Sequence, residues 1–337
     1  MRKLLLVLIL IALGTGAYYF SSKPEAVQDI KDSVSDKVAE VVVPEELHPL
    51  MIESLRKRNY DSQITVEQDL GDQGAFRSYI ISYPSDGLKL RALMNVPDSP
   101  KPAGGFPVLF LNHGFIEPSR YSTVSSYKAF ADFYSRNGFL VLKPDYRGHD
   151  DSEGQAMGGH SNPDYTVDVL SLLNAIKKHP DANPTKIGMW GHSMGGGITL
   201  RSVVVSKDIK ASMLVAGVVA SPQRFADYAV EHADDPRIPG YIRNNAELIR
   251  GLIEQFSDKI SPYAYLDFVE GPVSIHHGTA DTSVPLEFSQ EIKVALEKAG
   301  KSVEYFEYPN ADHNLANAGA RPLFLQRSLE FFNKNLK

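Results

Sequence analysis

The 337 residues carry 35 Lys and Arg against 41 Asp and Glu, a net charge of −6 that offers no basic field for nucleic acid. No cysteine is present, which excludes disulfides, thiolate catalysis, Cys-ligated zinc and a cysteine-linked lipid anchor. A hydrophobic share of 43% and a charged share of 23% are those of an ordinary globular protein, with length for one large domain or two small ones.

The chain begins with Arg2 and Lys3, followed by an unbroken apolar run from Leu4 to Leu13 that continues to Tyr18, Tyr19 and Phe20. A positive end before an apolar core reads as an export signal. Residues 1–20 are therefore expected to be a cleaved signal peptide or an uncleaved membrane anchor, and the rest of the chain to be extracytoplasmic. Val27, Ile30, Val34, Val38 and Val41 recur at helical spacing, so residues 21–60 are predicted to be a spacer holding one amphipathic helix.

A globular domain is expected over residues 61–337. Gln63 to Glu67, Tyr79 to Tyr83 and Leu88 to Leu93 alternate apolar and polar residues, the pattern of antiparallel strands. Short apolar runs follow at 107–111, 139–142, 186–190, 211–215, 272–275 and 303–306. Helix-like stretches lie among them at 122–136, 165–178, 195–205, 286–299 and 321–335. That alternation predicts an α/β fold, a mostly parallel sheet with N-terminal antiparallel strands and helices on both faces. Residues 222–262 break the rhythm: they hold no strand, a turn over 234–240 and a predicted helix over 245–256, and read as a helical lid insertion.

The chemistry concentrates at the ends of the apolar strands. Gly191-His192-Ser193-Met194-Gly195 is a G-x-S-x-G turn between a strand and a helix, the setting of a nucleophilic serine. Asp281 follows the strand 272–275 and His313 follows the strand 303–306, giving the order Ser, Asp, His along the chain. Ser193 is expected to attack, His313 to carry the proton and Asp281 to orient the imidazole; Asp312 is too near His313 in the chain for that last task. Backbone N–H groups of Phe115, in Asn112-His113-Gly114-Phe115, and of Met194 are expected to form the oxyanion hole. His113, His192, His276 and His277 read as packing or loop-bracing residues, and Arg147 as ion-paired. No metal site is expected at His149 and His160, and the chemistry needs no cofactor. Phe225, Tyr228 and Tyr241 of the lid are the expected substrate-pocket residues.

These motifs resemble the α/β-hydrolase superfamily, from about residue 60 to the C-terminus. Asn112 to Phe115, Pro144-Asp-Tyr-Arg-Gly148, Gly191 to Gly196, Gly278-Thr-Ala-Asp281 with Val284-Pro285, and Asp312-His313 are similar to the prolyl-oligopeptidase-type and dienelactone-hydrolase-type branch. The His-Gly-Phe loop with a helical lid also resembles bacterial feruloyl and cinnamoyl esterases and their polyester-cleaving relatives. The resemblance implies hydrolysis of a small or oligomeric ester through an acyl-enzyme. Two alternatives remain: an aminoacyl- or dipeptidyl-type peptidase with an acidic lid residue binding the substrate amine, and a non-catalytic binding protein on the same scaffold. Two departures favour the esterase: the chain has no room for a substrate-screening propeller, and Met194 stands where those peptidases carry an aromatic residue.

Overall fold

The computed structural model describes residues 50–156, 163–232, 250, 254, 257–317 and 319–337. The expected signal or anchor, the amphipathic spacer helix, Tyr241, His160, the 234–240 turn and nearly all of the 245–256 helix lie outside the described residues. Among the described residues no helix is long and apolar enough to cross a membrane.

Nine strands form one sheet in the order β1-β2-β3-β5-β4-β6-β7-β8-β9. β1 (Thr65–Asp72), β2 (Phe76–Ser85) and β3 (Leu88–Pro97) pair antiparallel, and β3 pairs antiparallel with β5 (Leu140–Pro144). From β5 onward the pairing is parallel, through β4 (Phe106–Asn112), β6 (Ala182–His192), β7 (Ile209–Val215), β8 (Val273–Gly278) and β9 (Val303–Tyr308). Every residue of β4, β5 and β8 is buried, as expected of strands covered on both faces. β1 is mostly exposed, and its Glu67, Asp69 and Asp72 keep this edge from pairing with another chain.

The helices that cover the sheet are α1 (Ile52–Lys57), α2 (Lys128–Arg136), α3 (Asp164–Ile176), α4 (Met194–Val205), α5 (Pro222–Glu231), α6 (Leu286–Lys298) and α7 (Ala320–Leu336). Alternate strand residues separate two cores. Val108, Phe110 and Met189 face α1, α3, α4 and α6, whereas Leu109, Leu111 and Trp190 face α2 and α7. The period of two along each strand is what sends neighbours to opposite sides.

Two boundaries differ from expectation. The packed body starts before residue 61, because Ile52 and Leu55, one helical turn apart on α1, are 0% and 1% exposed in the first core. The helix expected over 122–136 begins only at Lys128, and Tyr127 before it has φ +56°. Thr123 is tied by its backbone N–H and hydroxyl to Asp150 and by its hydroxyl to Asp145. These tethers outcompete a helical turn for the Ser- and Thr-rich stretch.

Candidate active site

The chain runs from β4 to β5 on one side, then returns across β4 to β6 on the other. The loops after β4 and β6 thus diverge at a switch in strand order, where open α/β sheets form crevices. Ser193 sits there, between β6 and α4, with φ +55° and ψ −120°. Its backbone N–H donates to Val215 O (3.0 Å), and its carbonyl accepts from Gly196 and Val218 (2.9 Å each). This pairing over-determines a conformation that a serine would otherwise avoid. The flanking glycines are dictated by close approach: a Cβ on Gly191 would stand 2.1 Å from Gly195 O, and one on Gly195 2.0 Å from Asn112 O. The turn therefore closes against both α4 and the end of β4.

Asp281 lies in the turn after β8, its side chain 0% exposed. Oδ1 accepts the N–H groups of Ser283 (2.7 Å) and Val284 (3.0 Å). Oδ2 lies 2.7 Å from His313 Nδ1 and 3.0 Å from His277 Nε2. Burial alone would raise the carboxyl's pKa, but donation from His277, His313 and Val284 outweighs it and holds the group well below the usual carboxylate range. A carboxylate only accepts, so His313 Nδ1 carries the proton and Nε2 of the neutral ring is left as its acceptor. Asp312 serves its own turn instead, its Oδ1 accepting the Ala316 N–H at 2.7 Å.

Phe115 follows the buried His113, whose ring is stacked between Tyr121 and Tyr146. His113 Nδ1 is 2.8 Å from Gly114 O and Nε2 3.3 Å from Asp145 O, so this histidine braces the loop. Met194 is the first residue of α4, where the N–H has no intrahelical acceptor and the helix end is electropositive. Arg147 pairs with the buried Asp168 at 2.6 Å and with Asp86 at 3.1 Å, securing the loop after β5.

A cavity of about 400 Å³ opens beside Ser193 and His313. Phe115 and Ile116 form its wall after β4, Tyr127 and Phe130 its wall at the start of α2. Trp190 and Val215 lie on the sheet, and Leu315 and Phe324 close the α7 side. Apart from Phe115 and Ile116, these wall residues belong to or pack on the second core. The expected pocket residues lie elsewhere: Phe225 and Tyr228 on α5 pack toward Phe288 in the first core, at ring separations of 6.4 and 5.4 Å, and do not line this cavity. The third, Tyr241, lies outside the described residues. Both rings pack toward Phe288 and so attach α5 to α6.

Sequence reasoning passed over what five residues contribute. His277 was legible as a loop brace, and the fold directs that brace onto Asp281. His192 is more than packing, since it hydrogen-bonds on both ring nitrogens. Tyr127, Phe130 and Phe324 carry no local signal, because aromatic residues on an amphipathic helix look like core.

The family model described as the prolyl oligopeptidase family matches residues 125–337. The uncharacterized peptidase YuxL of Bacillus subtilis is 28% identical over 171 residues, 48% of this chain and 24% of its own length. A puromycin-hydrolyzing peptidase of Mycobacterium tuberculosis superposes with a TM-score of 0.61 at 22% identity, over 79% of this chain and 40% of that one. An acetyl xylan esterase from Paenibacillus sp. R4 gives a TM-score of 0.64 at 16% identity, over 85% of this chain and 92% of that one. The chain thus spans less than half of both peptidases, and the two structural likenesses establish the α/β-hydrolase fold.

Proposed function

The chain belongs to the prolyl oligopeptidase family and is a serine hydrolase, and from that premise we propose that it cleaves carboxylic esters of small acyl or aryl groups through an acyl-enzyme. The cavity is the observation that carries this reading. Its walls are aromatic and aliphatic, and about 400 Å³ is near the small end of ligand pockets. Among the described residues lining it there is no carboxylate to receive a substrate's amine, the handle an aminopeptidase requires.

In the proposed reaction Ser193 Oγ attacks the acyl carbon as His313 Nε2 takes the hydroxyl proton. Asp281 keeps the Nδ1 proton in place and stabilises the imidazolium. The N–H groups of Phe115 and Met194 receive the negative charge that develops on the carbonyl oxygen. The alcohol departs with the proton from His313, and water repeats the sequence to free the acid and Ser193.

A panel of p-nitrophenyl esters of rising chain length, run beside aminoacyl-anilides, tests the reading. Short and aryl esters should turn over and the anilides should not, with both ester turnover and fluorophosphonate labelling lost in Ser193→Ala. Anilide kcat/KM above that of every ester would establish the peptidase alternative. We also propose that residues 1–20 direct the enzyme across or into the membrane. Fractionation of expressing cells should find it outside the cytoplasm; recovery with cytosolic markers would refute that placement.

A further inference from the structure

We infer that Tyr127 and His192 form a polar clamp that joins the three catalytic loops, and that both are positioning residues for the reaction proposed above. Tyr127 Oη lies 3.0 Å from Gly114 N and 2.6 Å from His192 Nδ1, and His192 Nε2 lies 3.0 Å from the backbone carbonyl of His313. Chemistry allows one direction for every proton. A carbonyl only accepts, so His192 Nε2 carries the hydrogen and Nδ1 is an acceptor. Tyr127 must then donate its hydroxyl proton to Nδ1, which leaves its oxygen to accept the Gly114 N–H. The chain reads Gly114 N–H to Tyr127, Tyr127 O–H to His192, His192 N–H to His313 O.

Each end of this chain adjoins a reacting group. Gly114 precedes Phe115, His192 precedes Ser193, and the last acceptor belongs to His313 itself. The three segments are the loop after β4, the last residue of β6 and the loop after β9, which are not paired with one another at these positions. Burial lowers the His192 pKa to about 4, aided by the neighbouring His313, and raises that of Tyr127 to about 12. Both groups therefore keep the protonation state that the chain needs across the neutral range. His192 is 6% exposed with its ring stacked on Trp190 at 6.2 Å, and Tyr127 is half-buried beside it on the wall of the cavity. Tyr127 also adopts φ +56°, a conformation uncommon for a bulky residue that the surrounding contacts must impose.

The inference rests on the serine-hydrolase reading, so its test uses a probe that does not depend on substrate identity. The rate constant for fluorophosphonate labelling of Ser193 needs only the nucleophile, the base and the oxyanion donors. Tyr127→Phe, which deletes one oxygen, should lower that rate by about 10- to 100-fold and lower ester kcat in parallel, because small misplacements of reacting groups carry such penalties. KM for p-nitrophenyl acetate should stay within about twofold. His192→Leu should match it, and Tyr127→Phe combined with His192→Leu should be no worse than either change alone, since both cut one chain. His192→Gln supplies an acceptor and a donor one carbon apart, as the ring nitrogens do, and should recover most of the rate. Wild-type labelling rates in Tyr127→Phe, or multiplicative losses in the double variant, would overturn the clamp. If Tyr127→Phe fails to fold, the comparison of His192→Gln with His192→Leu decides, and equal rates for those two refute it. A wild type that labels but hydrolyses no ester refutes the ester reading alone, because the labelling comparison still decides the clamp.

Discussion

Four donors converge on Asp281, two backbone N–H groups on Oδ1 and two imidazoles on Oδ2, so its geometry is set before any substrate arrives. Replacing it with Asn keeps the volume but removes the charge and lets an N–H face His313 Nδ1, which favours the wrong tautomer. Asp281→Asn should therefore lower kcat by roughly 10⁴-fold with little change in KM. Asp312→Asn should cost little in comparison; steady-state kinetics on one ester decide between them, and the reverse ranking would reassign the acid. Lys143, 0% exposed, is buried at the end of β5. Its ammonium donates to Tyr121 Oη at 2.6 Å and stands 3.9 Å from Asp145. Burial lowers its pKa to about 8 and raises that of Asp145 to about 6. Lys143→Met strands the carboxylate and should destabilise the fold by about 3–5 kcal/mol, with much of the loss recovered in Lys143→Met/Asp145→Asn. Equal urea midpoints for the single and double variants would show that the pair is not coupled.

Among the elements, α2 and α7 are the ones that shape the substrate cavity. Phe130 on α2 lies 5.1 Å from Trp190 and 6.3 Å from Phe324 of α7, ring to ring, across the second core. A larger ring at that position subtracts from about 400 Å³ of space. Phe130→Trp should thus shift ester preference toward acetate and lower kcat/KM for longer chains by about tenfold per excluded methylene or two. Phe225→Ala on α5, whose ring packs toward Phe288, should leave that preference unchanged while lowering thermal stability. A chain-length panel measured on both variants checks this, and a shift caused by Phe225→Ala alone would return the pocket to α5. Most strands were legible in the sequence because their apolar runs are short, bounded by turn residues and continuous where both faces are covered. The late start of α2 was not, since the competing side-chain bonds of Thr123 come from Asp145 and Asp150, distant in the chain.

On the scale of the whole molecule, buried neutral histidines tie stability to pH. His192 and His276 have pKa values lowered to about 4 and about 3, in each case chiefly by burial. An unfolded chain binds protons at these residues below about pH 6.5, whereas the native fold does not until about pH 4 and pH 3. The unfolded state therefore takes up more protons in that window, and stability falls as pH drops through it. Asp145, whose pKa burial raises to about 6, works in the opposite direction through a smaller shift. The urea midpoint should decline from pH 6.5 to pH 4, and His276→Gln should flatten part of the slope. A midpoint that holds constant over that range would contradict the balance.

The identity of the nucleophile, its base and its acid, and the α/β architecture that carries them, could be read as expectations from residues alone. The reason is physical: a serine at φ +55° needs near-bare neighbours at Gly191 and Gly195, and parallel strands covered on both faces must be continuously apolar. Such demands are local, so they leave a pattern along the chain. The cavity, the bond from His277 to Asp281 and the Tyr127–His192 chain leave none. Their hydrogen bonds reach up to 121 positions along the chain, through side chains whose types are equally suited to an ordinary core. Only the packing of α2 and α7 over the sheet decides that Tyr127, Phe130 and Phe324 face Ser193, while Phe225 and Tyr228 face away into the other core.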